Sequence, residues 1–335
     1  MRNQNQFSKE IYKLTKFHYN NSKEYKKIVD LLYSSKIKEK IESIPFIPAK
    51  LFKDIDLKSV PDKDVFKILN SSGTSSGKPS KIYLDKENAK KQILVLNEIV
   101  SKILGKKRIP MLIIDEKKDI LNSKKFDAKT AAILGFSLFG NNYHYLIKDQ
   151  IIDYKNLNNF MEKYSNTNFF IFGFTSYIYE YLLKNLDNKK IKKDFSKGIL
   201  IHGGGWKKME EIKMPNKIFK KKLKEKLKLE KIFNYYGLIE QTGSIFFECK
   251  ECSCLTTSKY SDVLIRDKNF KILKNNKKGY IQLLSLLPKS YPGHSILTED
   301  MGEIVENDCS LCSGKKKFLV HGRAEKSEIR GCSDV

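Results

Sequence analysis

The spacing of apolar and polar residues divides the first hundred residues into helices, a connector and a loop. Residues 8–43 carry apolar side chains three and four positions apart, which predicts two or three helices. Residues 44–52 contain two prolines and predict an extended connector. Residues 71–80, SSGTSSGKPS, predict a loop, called the serine-rich loop below. A strand in KIYLD and a helix over about 86–104 are expected to follow it.

Strand-like and helix-like segments alternate through the middle of the chain. Short runs of branched and aromatic residues predict strands, and longer amphipathic runs between them predict helices. The predicted strands are 109–115, 168–174, 198–204 and 231–237, and the predicted helices are 127–138, 176–187 and 207–227. This alternation favours a largely parallel sheet covered by helices on both faces.

After Gly237 the pattern changes to short runs separated by turn signals, as in SIFFEC, DVLIRD, GYIQLLSLL and KKFLVHG. Such runs predict a β-rich module built as a mixed sheet or a small barrel. We therefore expect an α/β protein in three segments. They are a helical segment and connector at 1–70, an α/β region at 71–245, and a β-rich module with the C-terminal tail at 246–335.

The composition is that of a globular protein with a strong positive charge. Of 335 residues, 40% are hydrophobic, and 64 Lys and Arg against 39 Asp and Glu give a formal charge of +25. Nearly all of the excess is lysine scattered along the chain, which is typical of a solvated surface, so we expect no nucleic-acid partner. The same surface would suit an acidic protein partner.

Three features bear on location. No apolar run approaches the roughly 18 residues that a membrane span needs. The polar start MRNQNQFSKEIYKL lacks the apolar core of a secretory signal. Six cysteines are too few for a disulfide-built secreted scaffold. We therefore expect a cytoplasmic protein without a transmembrane segment.

Glycine-rich turns after predicted strands indicate where a ligand would bind. In open α/β sheets, ligands bind where loops leave the carboxyl ends of strands, and Gly203, Gly204, Gly205 and Gly237 lie at such ends. In the serine-rich loop, hydroxyls and glycine amides could donate to phosphate. The loop is not a P-loop, because three residues rather than four separate Gly73 from the next Gly-Lys pair. A flexible linker is the alternative for this loop.

Further polar groups suited to a site lie in four later segments. These segments are HGGGW (202–206), YYGLIEQTG (235–243), SYPGHSILTEDMGEI (290–304) and GRAEKSEIRGC (322–332). Glu240 could hold Mg²⁺, Asp300 could accept from ribose hydroxyls, and Arg323 could bind phosphate or sugar oxygens. The ordinary alternatives are a tight turn for HGGGW, a solvated carboxylate for Glu240 and a turn-forming aspartate for Asp300. His202 and His294 are candidates for the lining of a pocket.

Five of the six cysteines are clustered in the last third of the chain. Three lie in CKECSC and two in CSLC, a spacing that fits tetrahedral thiolate coordination of Zn²⁺. Four thiols would complete a closed structural site, and of the five candidates, which include Cys252, we favour Cys249, Cys254, Cys309 and Cys312. Unliganded thiols and an iron–sulfur cluster are the alternatives.

The order of these segments resembles that of a known superfamily. A Ser/Thr/Gly loop, a GGG turn, YGxxE, ED and GR follow one another as in the adenylate-forming acyl-CoA synthetases and luciferase-like ligases. Within that superfamily, the chain resembles the acyl-protein synthetase (LuxE) family over about residues 44–335. The segments that carry this resemblance are SSGTSSGKPSKI, GFTSYIYE, HGGGWKK, YYGLIEQTGSIFFEC, SYPGHSILTEDMGEI and GRAEKSEIRGC. It implies the large-domain architecture of adenylate-forming enzymes, with the C-terminal lid domain truncated or absent.

The resemblance implies a two-step reaction. A fatty acyl carboxylate attacks the α-phosphate of ATP and releases pyrophosphate, and a thiol then displaces AMP. The implied roles are Ser72, Gly73, Thr74, Ser75 and Gly77 for the β- and γ-phosphates; Gly203, Gly204, Gly205 and Tyr236, with Gly237, for the adenine and acyl site; Glu240 for Mg²⁺; Asp300 for the ribose hydroxyls; and Arg323 for ribose or phosphate.

Two features depart from the family pattern. The serine-rich loop has three residues between its glycines where two are usual. The wider superfamily also continues past the GR motif with a lid domain that carries a catalytic lysine, whereas this chain ends twelve residues after Arg323. We therefore expect Lys78, Lys81 or another lysine to replace that charge, unless adenylation is slow or a partner completes the site.

Cys332 is the candidate acyl carrier. The resemblance implies that the acyl group is held on a cysteine near the C-terminus, and nearby Arg330 could favour the thiolate that such a nucleophile requires. An inert tail cysteine is the alternative.

The sequence therefore predicts an ATP-dependent acyl-protein synthetase that feeds an acyl reductase making an aldehyde. The enzyme alternative is a ligase that loads an acyl carrier protein or CoA. The alternative from a different class is a catalytically idle nucleotide-binding subunit.

Overall fold

The computed structural model describes residues 3–34, 37–71, 78–117, 128–191, 193–206 and 212–324. In this part of the chain the helices are α1 (Gln4–Asn21), α2 (Lys23–Tyr33), α3 (Leu51–Asp54), α4 (Lys86–Leu104), α5 (Ala128–Ser137), α6 (Tyr154–Tyr164), α7 (Thr175–Tyr177, continued by a π-helical stretch at Ile178–Lys184) and α8 (Asn216–Leu227). None of these helices is both long and apolar enough to cross a membrane.

The strands follow the predicted alternation through the middle of the chain and dominate its last third. They are β1 (Ile47–Pro48), β2 (Lys67–Asn70), β3 (Lys81–Leu84), β4 (Ile109–Glu116), β5 (Gly140–Lys148), β6 (Ile151–Ile152), β7 (Phe169–Phe174), β8 (Gly198–Gly203), β9 (Lys231–Tyr236), β10 (Phe246–Glu248), β11 (Leu255–Thr256), β12 (Ser261–Arg266), β13 (Gly279–Ser285), β14 (Ser295–Ile304) and β15 (Lys317–Arg323).

The chain forms two compact units. Among the described residues, the central unit is Asn97–Tyr236, and the terminal unit contains the residues up to Leu96 and those from Gly237 to Ala324. This division differs from the three predicted segments, because the N-terminal helices do not stand alone. Phe7 of α1 shares an apolar core with Leu284 of β13, and β1 pairs with β14.

The central unit contains the predicted parallel sheet. Its strands run in the order β9, β8, β7, β4, β5, β6, and every pairing is parallel except that of β5 with β6. All six residues of β7 and of β8 are buried, as expected for strands covered on both faces. On one face Phe136 of α5 stacks on Phe172 of β7 at 4.4 Å. The alternate residues of the strands pack with α6, α7 and α8.

The terminal unit is the predicted β-rich module enlarged by the N-terminal segments. Its strands run antiparallel in the order β12, β13, β14, β15, β11, β10, and β1 adds a parallel pairing to β14, so the sheet is mixed. The hairpin β2–β3 is a separate two-stranded sheet. The prediction of an α/β fold with a β-rich module is thus confirmed.

Two local predictions were wrong. The helix predicted over 207–227 begins at Asn216, directly after Pro215, because proline lacks an N–H and is accepted at a helix start rather than inside it. Strand β5 was not predicted. Its sequence starts with polar residues, and the positive φ of Asn142 accompanies a register shift against β4, so no regular alternation marks it.

Candidate active site and a four-thiol cluster

Two hydrogen bonds hold the ends of the serine-rich loop together. The amide of Ser71 donates to the carbonyl of Ser80 (2.9 Å), and the amide of Ser80 donates to Oγ of Ser71 (2.7 Å). Lys78, near the end of the loop, is exposed. The residues predicted to bind phosphate lie outside the described part of the chain: Ser72, Gly73, Thr74, Ser75 and Gly77. The alternative lysine, Lys81, forms an exposed ion pair with Asp56 at 3.2 Å.

Glu240 lies at the base of this loop although it is 160 residues away in sequence. It belongs to a 3₁₀ turn at Ile239–Gln241 and is only 5% exposed. The hydroxyl of Ser80 donates to its Oε1 at 2.9 Å. The phenol of Tyr291 is also buried, and burial together with the nearby Glu240 charge raises the pKa of Tyr291, which therefore stays protonated. The structure thus brings the loop and the predicted Mg²⁺ ligand together.

The position of Glu240 depends on its neighbours in the same turn and on a glycine. The side-chain amide of Gln241 donates to the carbonyls of Leu283 (3.1 Å) and Gly293 (2.9 Å). A Cβ on Gly293 would overlap the carbonyl oxygen of Glu240. Sequence reasoning missed Ser80, Gln241 and Gly293. Each lies inside a segment that carries the family resemblance, and this was the available signal.

Asp300 and Arg323 are also brought together. They face each other as register partners on β14 and β15. A guanidinium nitrogen of Arg323 lies 3.7 Å from Oε2 of Glu299, and both side chains are partly exposed. The amide of Asp300 donates to the hydroxyl of Thr298 (3.1 Å), which fixes the backbone at this point. The acidic pair and the arginine therefore form one polar group in the terminal unit.

The glycine turn after β8 lies in the central unit. Gly203 ends the strand, and a Cβ there would lie 2.5 Å from the ring of Tyr235, its register partner on β9, so only glycine lets that ring approach. Gly204 has φ +77°, a conformation that favours glycine, whereas a Cβ on Gly205 would meet nothing within 4 Å. Tyr236, the end of β9, is half-buried.

His202, next to these glycines, is buried and uncharged. The hydroxyl of Thr175 lies 3.0 Å from its Nδ1 and donates to the carbonyl of Gly203 at 3.1 Å. Burial, and then the charge of Lys220, lowers the pKa of His202 to about 3. Its Nε2 has no hydrogen-bond partner among the described residues. The neutral ring therefore packs against Phe219 of α8, at 5.2 Å between centroids.

His294, the other histidine considered for a pocket, lies inside the terminal unit. It is fully buried and stacks on His18 at 4.7 Å between centroids. The hydroxyl of Thr15 lies 3.0 Å from its Nε2. This places His294 in a buried polar cluster with helix α1, within the core of the unit.

A buried ion pair in the central unit was not predicted. The ammonium of Lys129, at the start of α5, lies 2.8 Å from Oδ2 of Asp115 on β4, and both side chains are about 5% exposed or less. The same ammonium lies 4.2 Å from the ring centroid of Tyr177. Burial, the largest single effect, would lower the pKa of Lys129, but the charge and hydrogen bond of Asp115 together with the contact with Tyr177 raise that pKa overall. The pair is therefore charged.

Four cysteines of the terminal unit meet in one cluster, called the four-thiol cluster below. They are Cys249, Cys252, Cys309 and Cys312, and their sulfurs all lie within 4.8 Å of one another. The predicted ligand set contains Cys254, whereas this cluster contains Cys252 in its place. Cys254 directly precedes β11, and its carbonyl accepts from the amide of Cys249 (2.8 Å). Its thiol is buried and accepts from the side-chain amide of Asn307 (3.5 Å).

The electrostatics of the cluster are those of thiols held close together. Burial would raise the pKa of Cys249, but hydrogen bonds from the amides of Cys252 and Glu251 and from neighbouring thiols lower it to about 7. Burial and the neighbouring sulfurs raise the pKa of Cys312. One sulfur of the group therefore ionises at the expense of the others.

Comparison with solved structures identifies the class of this fold. It is similar to 2-hydroxyisobutyryl-CoA ligase in complex with 2-HIB-AMP and CoA (TM-score 0.71, 11% identity, covering 97% of this chain and 76% of that one). It is also similar to the luciferase-like enzyme of the nonluminescent mealworm Zophobas morio (TM-score 0.52, 18% identity, 85% and 63% covered). ATP-bound MatB from Rhodopseudomonas palustris gives TM-score 0.52 at 13% identity, with 79% and 49% covered. The fold is that of the adenylate-forming ligases.

Comparison with protein families is more specific. The family model described as "Acyl-protein synthetase, LuxE" matches residues 2–335, and the chain belongs to this family. No curated protein matches the sequence. The chain spans between about half and three quarters of the length of the three solved structures named above. The resemblance seen in the sequence is therefore confirmed at the level of family and fold.

Proposed function

We propose that this protein is an ATP-dependent acyl-protein synthetase. It would activate a fatty carboxylic acid as the acyl-adenylate and pass the acyl group to a protein cysteine thiol. The observation that carries the proposal is the family match over residues 2–335. The buried contact between Ser80 and Glu240 supports it, because it sets a carboxylate at the base of a hydroxyl-rich loop.

In the first step, a carboxylate oxygen of the fatty acid would form a bond to the α-phosphorus of ATP, and the bond to the β-phosphate oxygen would break. Pyrophosphate leaves with the bonding electron pair. The serine-rich loop would hold the β- and γ-phosphates, Asp300 would accept from the ribose hydroxyls, and Arg323 would bind ribose or phosphate. The exposed charge of Lys78 would assist the leaving group.

The residues present fit a Mg²⁺ ion beside the phosphates. Glu240 is a buried carboxylate, and oxygen is the ligand that Mg²⁺ prefers. When bound there, Mg²⁺ would neutralise charge that develops on the phosphates. Ser80 would orient the carboxylate through its hydrogen bond. The adenine and acyl roles of Gly203, Gly204, Gly205, Tyr236 and Gly237 remain part of the proposal.

In the second step, a thiolate would attack the acyl carbon of the adenylate. A carbon–sulfur bond forms, the bond to the AMP oxygen breaks, and AMP leaves. Cys332 is the proposed nucleophile on the strength of the family resemblance. Cys332 and Arg330 lie outside the described residues.

The proposal includes a partner and a location. An acyl reductase would consume the thioester and make an aldehyde, and an acyl carrier protein or CoA is the alternative acceptor. The cytoplasmic location stays a prediction. The proposed cofactors of the reaction are ATP and Mg²⁺.

The test uses the purified full chain, Mg-ATP and radiolabelled fatty acids of several lengths. Pyrophosphate release and hydroxylamine-sensitive label on the protein are measured for the wild type and for Cys332→Ala. Cys254→Ala serves as a matched cysteine control. We expect pyrophosphate from all three proteins, with label on the wild type and the control only.

The other outcomes separate the alternatives. Pyrophosphate without label on any protein would contradict transfer to Cys332 and would favour a carrier protein or CoA as acceptor. Addition of an acyl carrier protein or CoA would then restore a labelled thioester. No pyrophosphate at all, with or without an acceptor, would favour the idle nucleotide-binding subunit.

A further inference from the structure

The spacing of the four-thiol cluster matches a metal site. Sγ of Cys249 lies 3.7 Å from Sγ of Cys309, and Sγ of Cys252 lies 3.7 Å from Sγ of Cys312. With Zn–S bonds of about 2.3 Å, two sulfurs of a tetrahedral site are about 3.8 Å apart. All four sulfurs lie within 4.8 Å of one another, so small side-chain movements would bring each to one ion.

The donor set selects the kind of metal. Thiolates are soft ligands that favour zinc over the hard cations Mg²⁺ and Ca²⁺, which take oxygen. Four protein sulfurs also complete the tetrahedron, which is typical of a structural rather than a catalytic zinc site. The sulfurs are too far apart for disulfides, whose bond is about 2.05 Å. Two Cys-x2-Cys turns facing each other are therefore best explained by one shared ion.

The position of the cluster shows what such an ion would join. Cys249 and Cys252 lie in the turn between β10 and β11, and Cys309 and Cys312 lie in the connection between β14 and β15. The strand pairing between these two hairpins is short. Strand β11 contains only Leu255 and Thr256, and it meets β15 in two register pairs. Few backbone hydrogen bonds therefore hold the two hairpins together at this end.

We propose that the four thiols of Cys249, Cys252, Cys309 and Cys312 bind one Zn²⁺ that fastens the β10–β11 turn to the β14–β15 connection. Each thiol that is still protonated releases its proton to solvent as its sulfur binds the metal. A closed tetrathiolate has no open position for substrate. The site is therefore independent of the adenylation chemistry and goes beyond the proposed function.

The test measures metal bound to the full-length protein, purified without chelators from cells supplied with zinc. Cys252→Ser and Cys254→Ser form a matched pair, because each replaces one thiol of the same CKECSC segment. All three proteins are dialysed against the same chelator before zinc is measured. We expect about one zinc per chain in the wild type and in Cys254→Ser, and a zinc content at least about tenfold lower in Cys252→Ser. Wild type reloaded with Co²⁺ should show the intense visible absorption of a tetrahedral thiolate site.

Several results would overturn the proposal. The proposal is wrong if the wild-type protein binds no zinc, or if it contains iron and shows the absorption of an iron–sulfur cluster. Disulfides between these cysteines in protein purified without oxidant would overturn it as well. Zinc lost from Cys254→Ser but kept in Cys252→Ser would overturn the ligand set. If Cys252→Ser does not fold, the metal content and the Co²⁺ spectrum of the wild type still decide the question.

Discussion

At the scale of residues, the candidate site is defined by buried polar side chains that form hydrogen bonds with a neighbouring hydroxyl or with backbone carbonyls. A carboxylate removed from water is costly unless it is hydrogen-bonded or paired. Glu240 is 5% exposed and accepts from Ser80, and its neighbour Gln241 is completely buried and donates twice to backbone carbonyls. A buried acidic side chain held in this way at the base of the serine-rich loop is a strong candidate for a functional group.

The role of Glu240 can be tested by removing its charge alone. In Glu240→Gln the amide oxygen can still accept from Ser80, so the fold should be retained, while the carboxylate proposed for Mg²⁺ is lost. We expect pyrophosphate release to fall about 100-fold, because charge stabilisation at phosphate is a large catalytic contribution. Stopped assays of pyrophosphate at several Mg²⁺ concentrations would measure it.

Glu303→Gln is the matched control for this variant. Glu303 pairs with His321 on the surface at 3.1 Å, so this change should leave pyrophosphate release within about twofold, as expected for a surface pair. Activity of Glu240→Gln equal to that of the control would rule out the proposed role of Glu240.

His18 gives a prediction about pH. Its Nδ1 lies 2.7 Å from Oγ of Ser59 and its Nε2 lies 3.1 Å from the carbonyl of Pro288. Burial lowers the pKa of His18 from 6.5 to about 3, although the carbonyl contact opposes this. Below pH 6.5 the unfolded chain therefore binds a proton that the folded chain refuses, and stability falls with pH down to about 3.

The cost from His18 is about 2 kcal/mol near pH 5. Urea unfolding at a series of pH values would measure it. His18→Gln should show a shallower fall between pH 6.5 and 4 than the wild type, whereas His321→Gln, on the surface, should not. Equal slopes for all three proteins would mean that His18 titrates normally in the folded state.

At the scale of elements, local periodicity predicted most helices and strands, but it did not predict which of their side chains meet in space. Strands such as β7 are uniformly apolar because both faces are covered, and this is visible in the sequence. The choice between Cys252 and Cys254 is not visible. Both fit the spacing, and only the β10–β11 turn decides which thiol faces Cys309 and Cys312.

The contact between the Glu240 turn and the 290–294 segment is a prediction at this scale. A Cβ on Gly293 would overlap the carbonyl of Glu240 and the ring of Tyr291. Gly293→Ala should therefore lower stability by about 1–3 kcal/mol, which is the usual cost of overpacking. Gly205→Ala is the control, because a Cβ there meets nothing within 4 Å.

Thermal and urea unfolding of the two glycine variants would measure this difference. A shift for Gly293→Ala no larger than that for Gly205→Ala would show that the two segments separate without cost. Both glycines lie in segments that carry the family resemblance, SYPGH and HGGGW. The close approach at Gly293, however, depends on Glu240, which is more than fifty positions away in the sequence.

At the scale of the whole molecule, the dominant property is its formal charge of +25. Like charges on one surface repel one another and destabilise the compact state, and salt screens this repulsion over about 10 Å at 0.1 M. The melting temperature should therefore rise with salt, by about 2 °C for each 1 kcal/mol regained. Calorimetry between about 20 and 200 mM NaCl would detect it.

A charge variant sharpens this test. Lys217 and Lys222 are exposed on α8, and Lys217→Glu with Lys222→Glu lowers the formal charge by four, so the salt dependence should be weaker than in the wild type. A melting temperature that falls with salt in the wild type would show that attractive ion pairs outweigh the repulsion.

The sequence does not reveal which distant segments share a unit. Residues 1–70 look like a helical segment of their own, because nothing local records that Phe7 of α1 needs Leu284 of β13 as its apolar partner. Among the described residues the central unit is continuous in sequence, and the alternation of strands and helices predicts its parallel sheet.

This difference in continuity has a consequence for synthesis on the ribosome. All described residues of the central unit have been made once Tyr236 has emerged, so this unit can fold while the chain is still growing. Helix α1 must wait for β13, and at about 5–20 residues per second that delay is on the order of ten seconds or more. During this time the apolar face of α1 has no partner strand, so α1 stays unprotected long after it has been made.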